Sequence, residues 1–328
     1  NLFTGEDAME TEKGYEFEYE EQGLAGAEFS IHARETIYSP DGQMDSEGNR
    51  IIRFEKDALV GTIVTDEKGK GTLNNLPIGK FYIKETKTGD SFVLDPKEQD
   101  FEITYQGQEV AVDYVTKEIK NQRQKVEIEV LKRSEATKEP LAGVSFGLYA
   151  GEDLLNAAGE IVVKKDELVA VGKTDEEGKL KYQDTIPHGK YYLKELENLP
   201  GYLPFEEKIE IDASYTDPKL EVISIQKEVE NQPTKVEITK TDITGEKEVE
   251  GAKLQILDKE GDVVEEWTST KEPHLIYALK PGKYILHEEQ APTENGYVKA
   301  EDVEITVEET GEIQKVSMKD DHSKIEIT

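Results

Sequence analysis

Three side-chain types recur along this chain in fixed register: a lysine, a glutamate, and an asparagine or aspartate. Lys132 stands eleven positions before Gly143, and Lys240 stands eleven before Gly251. Each lysine ends the apolar face of an alternating stretch: Val126, Ile128, Val130 and Lys132 in one, Val236, Ile238 and Lys240 in the other. Glu195 and Glu288 end the related stretches HGKYYLKE and PGKYILHE. Asn231 lies four positions before Lys235, and Asp320 four before Lys324. An unpaired ammonium is expensive to bury, so a lysine on an apolar face is paired, neutral or chemically consumed. Taken alone, Lys240 also fits a strand-end lysine whose ammonium snorkels to water. Taken in register, an amine, a carboxyl and a carboxamide or second carboxyl in one apolar interior form a reactive set. Burial favours the neutral, nucleophilic amine, and a glutamate of raised pKa can shuttle protons. Fixed geometry then supplies a large effective molarity for amide formation.

The elements that must position these groups repeat three times. IGKFYIKE, HGKYYLKE and PGKYILHE each place Gly-Lys at a turn, then an alternating strand, then Glu85, Glu195 or Glu288. Upstream lie LAGAEFSIHA, LAGVSFGLYA and VEGAKLQILD, each a turn glycine followed by a strand. D-E-x-G hairpin turns follow in the first two copies. YQGQEVAVDYVTKEIKN (Tyr105–Asn121), DPKLEVISIQKEVEN (Asp217–Asn231) and TGEIQKVSMKD (Thr310–Asp320) read as closing strands. Short strands with frequent turn signals predict an all-β protein of three tandem β-sandwich modules. Their boundaries fall at residues 1–123, 124–233 and 234–328. The junctions NQRQKVEIEV and NQPTKVEITK leave almost no linker, so a semi-rigid rod is expected. FEKDALV (Phe54–Val60) and KKDELVA (Lys164–Ala170) each suggest one short helical turn, within an insert that the third module lacks.

Composition narrows the function. The 328 residues are 35% hydrophobic and 34% charged, with a formal net charge of −32. Such acidity argues against nucleic acid and anionic membrane surfaces as partners. There is no cysteine, so an extracellular setting would bring no disulfide. No apolar run is long enough to span a membrane. The chain opens on Asn1 without a secretory signal, so the expectation is a piece of a longer protein.

With L-x-G-A/V-x-F near each start, G-K-Y-x-x-K-E in the middle and a terminal Asn or Asp before T-K-V-E-I, the modules resemble the collagen-adhesin B-region family. Its domains are also called SpaA-type or prealbumin-like, and occur in Gram-positive surface proteins and pilins. The resemblance covers essentially the whole chain. It implies a β-sandwich whose first-strand lysine bonds covalently to Asn or Asp on the last strand, with a central Glu as acid and base. Carried over, the second module would link Lys132 to Asn231 through Glu195, and the third Lys240 to Asp320 through Glu288. The first module departs from the pattern. Glu85 and Asn121 are present, but GYEFEYEEQGLAGAEF has no lysine, and Lys13 sits too far upstream of Gly26. No bond is expected there, leaving Glu85 and Asn121 as relics or hydrogen-bonded core polars.

Other chemistry is weaker. Asp41, Asp45 and Glu47 could offer oxygens to calcium, but their segment lacks the full loop pattern and fits an exposed turn better. His32, His188, His274, His287 and His322 show no paired metal-ligand spacing, so neither a metal nor a cofactor is expected. His287 should face away from Glu288, and Trp267 reads as a packing or surface aromatic. GLYAGEDLLNAAGE is not a dinucleotide fingerprint. The expected function is a stalk or shaft segment of a cell-wall-anchored surface protein, adhesin or pilin, extracellular, whose only chemistry is single-turnover self-crosslinking. Its wall attachment would run through a sorting signal outside this segment, and any host matrix or surface ligand would meet a tip outside it. The alternatives are a host-ligand-binding adhesin module and an accessory β-domain of a secreted enzyme.

Overall fold

A computed structural model describes residues 2–39, 42–107, 114–156 and 159–323. It is almost entirely β-structure; among the described residues, the one helical element is the 3-10 turn Thr293–Asn295. The second and third modules share one plan. In the second, a four-stranded sheet runs Leu168–Lys173, Ser145–Ala150, Gly189–Glu197, Ile209–Ala213 in spatial order. Facing it, a three-stranded sheet runs Lys179–Lys181, Lys125–Ser134, Val222–Asn231. The third repeats this with Val263–Thr268, Lys253–Leu257, Gly282–Gln290, Val303–Val307 against His274–Tyr277, Lys235–Asp242, Ile313–Asp320.

The opening strand is the middle member of each smaller sheet. In Lys125–Ser134 every second residue is buried, which turns Val126, Ile128, Val130 and Lys132 inward onto one core. The closing strand pairs with it in parallel, Lys132 opposite Val229 and Asn231 opposite Ser134. In the third module Lys240 lies opposite Met318, and Asp320 opposite Asp242. Successive side chains alternate faces, so each lysine shares the inner face with the terminal residue of the neighbouring strand.

The first module has only half of this plan. Its four-stranded sheet, Leu59–Val64, Glu28–Ala33, Gly79–Lys87, Gln99–Ile103, is intact and carries a small core around Phe29, Ile31 and Phe81. No second sheet faces it among the described residues. The expected closing strand Tyr105–Asn121 is a correction: its described residues are irregular, and 108–113 lie outside the described residues. The opening strand Gly14–Glu20 forms, but elsewhere. It pairs with Leu2–Thr11 as a hairpin and joins the second module's sheet at Gly14 opposite Ala170. Tyr15 and Phe17 pack on the second module's core rather than over the first module's sheet. Tyr15 donates to Glu167 Oε2 at 2.8 Å and Tyr19 to the Thr185 carbonyl at 2.8 Å, with the Arg123 guanidinium over the Tyr19 ring.

The two suggested helical turns are also corrected. Residues 55–58 and 164–167 form tight turns and the rest of both stretches is strand, with Asp57 and Asp166 at positive φ, a conformation that Asp tolerates and a helix excludes. The inserts of the first two modules are two-stranded ribbons, Ile37–Tyr38 with Ile52–Phe54 and Leu154–Leu155 with Ile161–Val163. The D-E-x-G turns form as expected, with Gly69 and Gly178 at positive φ.

The docking of the N-terminal hairpin depends on Gly14. At its φ of +117° a Cβ would stand 2.1 Å from the Val169 carbonyl oxygen, which only glycine avoids. Gly14→Ala should therefore detach the hairpin from the second module. Hydrogen exchange should then show lost amide protection over residues 14–20, with residues 28–33 and 79–87 unchanged. Protection lost in the first module's sheet instead would contradict this placement.

Candidate functional site

In the second module the three expected residues meet. Lys132 is fully buried, and its Nζ donates to Asn231 Oδ1. Glu195 Oε2 lies 2.9 Å from the same Nζ. Asn231 Nδ2 donates to Glu195 Oε1 and Oε2 at 3.0 and 3.1 Å. The carboxylate thus touches both the amine and the nitrogen that a crosslink would expel. Burial pushes the Lys132 amine below its usual value, opposed by the adjacent Glu195. The rings of Phe146 and Phe205 stand 5.5 and 5.6 Å from Nζ and wall the site from water.

The third module brings its three residues together with a carboxyl in place of the amide. Lys240, 2% exposed, contacts Asp320 Oδ1, and Glu288 Oε1 lies 3.1 Å away. The snorkelling alternative for Lys240 therefore does not hold. Burial raises the Asp320 carboxyl above its usual range; Lys240 opposes the rise and Glu288 adds to it. Asp320 Oδ2 has no hydrogen-bond partner among the described residues.

The first module holds Glu85 and Asn121 without the amine. Asn121 Nδ2 donates to both Glu85 oxygens at 2.8 Å and to the Val93 carbonyl at 3.1 Å. Among the described residues no cation pairs with Glu85, and burial raises its carboxyl above the usual range. Lys13 stands beside Gly14 on the hairpin docked at Ala170.

Two supports carry these geometries. Directly after each glutamate the strand bulges: Phe29 pairs with Glu85 but Glu28 with Lys87, Phe146 with Glu195 but Ser145 with Glu197, Leu254 with Glu288 but Lys253 with Gln290. Such an extra residue re-aims a side chain at a site. The loop beyond then returns a backbone N–H to the carboxylate: Asp95 to Glu85 at 2.7 Å, Phe205 to Glu195 at 3.3 Å, Ala300 to Glu288 at 2.6 Å. Sequence reasoning missed these donors, because a backbone N–H has no residue signature. It also missed Asn198, whose Oδ1 accepts from Asn231 Nδ2 at 2.7 Å and which has no counterpart in the other copies.

The remaining candidates do not assemble into sites. Asp45 Oδ1 accepts the amides of Glu47 and Asn49 at 2.9 Å each and so closes a turn, while Asp41 lies outside the described residues. His287 does face away from Glu288, toward Asp302 at 2.6 Å. Trp267 packs on the third core and stacks on His274. Among the described residues no cluster of His, Asp or Glu could hold a metal ion, and no helix is long and apolar enough to cross a membrane.

The family model of the SpaA prealbumin-like fold domain matches three times, over residues 16–118, 126–228 and 234–322. The chain belongs to this family. The family is one of structural, non-enzymatic domains. Among solved structures the chain is similar to the Bacillus anthracis TIE protein, with 26% identity and a TM-score of 0.50 over 92% of this chain and 48% of that one. It thus spans about half the length of that protein. BcpA, the major pilin subunit of Bacillus cereus, matches at 17% identity and a TM-score of 0.34, over 92% of this chain and 96% of that one. The shaft pilin spaA of Lactobacillus rhamnosus GG matches at 14% identity and a TM-score of 0.33, over 62% and 99%. No curated protein sequence matches the chain.

A carboxyl with a raised pKa holds its proton longer in the folded state. Any stability from Glu85 is then fully present below the unfolded glutamate value and lost as pH rises through the higher folded value. A carbon-detected NMR titration of Glu85 should give a midpoint above that of an ordinary glutamate. A midpoint at or below the ordinary value would contradict the burial described.

Proposed function

We infer that this chain is a shaft segment of a cell-wall-anchored Gram-positive surface protein, adhesin or pilin, whose second and third modules lock themselves with internal amide bonds. The observation that carries the reading is the contact of each buried lysine Nζ with a side-chain oxygen of the closing strand, beside a buried glutamate. In the second module the neutral Lys132 amine attacks Asn231 Cγ. Glu195 moves a proton from the amine to Nδ2, and ammonia leaves. In the third, Lys240 attacks the protonated carboxyl of Asp320, Glu288 moves the proton, and water leaves. Each group reacts once, so this is self-crosslinking rather than turnover. Family membership supports an extracellular address and wall attachment through a segment outside this one.

A second reading has support of its own. The first module's insert exposes Met44 at 64% and Ile52 at 44%, apolar side chains that a ligand-binding surface would use. Binding of a host ligand there is compatible with a shaft role for the other modules.

The intact chain should weigh less than its sequence by one ammonia and one water. Glu195→Ala should abolish the ammonia loss alone, and Glu288→Ala the water loss alone. The loop closed by Lys132 and Asn231, 99 residues apart, contributes roughly 4–5 kcal/mol by analogy with disulfides. The Glu195→Ala variant should therefore also melt earlier. A wild-type mass equal to the full sequence would refute both crosslinks, and a deficit that survives both variants would refute the glutamates' roles.

A further inference from the structure

In the first module a groove of about 430 Å³ lies where the other two modules keep their opening strand. Phe29, Ile63 and Ile83 line it from the four-stranded sheet, Phe92 from the loop beyond the Glu85 strand, and Ile119 and Asn121 from the closing segment that would flank a central strand. Phe29 and Ile83 stand at the positions of Phe146 and Leu193, which in the second module belong to the core around Val126, Ile128 and Val130. The module's own opening strand does not fill the groove. Its inward residues are the aromatics Tyr15, Phe17 and Tyr19, all engaged on the second module. At the groove's end lie a buried carboxylate and a carboxamide already in the arrangement of Glu195 and Asn231: Asn121 Nδ2 bridges both Glu85 oxygens, as Asn231 Nδ2 bridges those of Glu195. The missing component is an amine at Asn121: of the two lysines that line the groove, Lys120 pairs with Glu21, and neither Lys120 nor Lys117 contacts Asn121 or Glu85 among the described residues. Among the described residues nothing donates to Asn121 Oδ1, the counterpart of the oxygen that takes Lys132.

We propose that the first module binds an extended segment of another polypeptide, three alternating aliphatic residues followed in register by a lysine, and joins that lysine to Asn121. The template for the occupant is Val126, Ile128, Val130 and Lys132 in the second module. Such a segment enters as the middle strand of the absent sheet, and its backbone groups pair along both edges, as in other strand-addition complexes. The net charge of −32 opposes a second copy of this chain and favours a lysine-bearing partner. In the covalent step the lysine Nζ bonds to Asn121 Cγ and the Cγ–Nδ2 bond breaks. Of the two protons the ammonium gives up, one reaches Nδ2 through Glu85, so that ammonia leaves, and the other goes to solvent. No oxidant or cofactor is needed. The step rests on the crosslinking chemistry inferred for the second module; docking in the groove does not.

The probe is the labelled synthetic peptide KVEIEVLKRS, the sequence of Lys125–Ser134, added to the full chain. The chain's own mass deficit, recorded before addition, reports on the internal crosslinks separately. The expected result is a saturable adduct of one peptide less one ammonia, mapped by fragmentation to Asn121. Asn121→Ala and Glu85→Gln chains should form no adduct. The peptide carrying Lys132→Met should compete for binding without reacting. Reversible binding without any adduct would overturn the covalent step. Failure of both peptides to bind would overturn the proposal entirely, as would a crosslink from wild-type chain showing residues 14–20 already seated in the groove.

Discussion

The fold of each module depends on one strand. The opening strand is the middle of the three-stranded sheet, with a short antiparallel neighbour on one edge and the closing strand, parallel to it, on the other. A parallel partner cannot be supplied by a hairpin and must arrive from the far end of the module. The sheet is therefore the least local contact in the structure, and it forms only where its middle strand stays in place. The first module shows the consequence. Its opening strand lies on the second module, and neither flanking segment forms a ladder among the described residues. The four-stranded sheet survives alone because all its pairings are antiparallel and none uses the opening strand.

The same strand places a lysine in an interior that should not tolerate one. A lone buried ammonium would be prohibitive, and a simple buried ion pair often costs more to desolvate than it returns. The second and third modules resolve this by surrounding Nζ with a carboxylate and an acceptor oxygen from the closing strand. A covalent amide would end the conflict, because it leaves no charge to desolvate. It would also tie the point where the chain enters a module to the point where it leaves. The bulge after each glutamate and the amide returned by the following loop hold the third group in position, so the site is built by both sheets and a loop of the module.

Much of this was legible in the sequence because its signal is periodic. Alternation placed Lys132 and Lys240 on the inner face, and three repeats of Gly-Lys-strand-Glu identified Glu85, Glu195 and Glu288 as equivalent. What was not legible depends on tertiary choice. Residues 14–20 alternate as well as any opening strand, and nothing in their pattern says which of two adjacent modules they will join. That choice follows from aromatic bulk and from Gly14, which permits contact with Val169. Asp57 and Asp166 misled because a left-handed turn and a first helical turn share acidic and lysine residues. Tyr105–Asn121 reads as a strand, yet in the absence of a middle strand its described residues are left without a ladder.

The central claim is that a module is locked where its opening strand carries a lysine and remains in place. Single-molecule stretching of the full chain tests this most directly. The second and third modules should not extend beyond their folded length, because tension between crosslinked strands bypasses the residues between. The first module should yield a single unfolding event whose contour length matches about 100 residues, those between the docked hairpin and the second module, at roughly 3.3–3.6 Å each. Three such events would contradict the account, since they would show that neither buried lysine joins its module's ends.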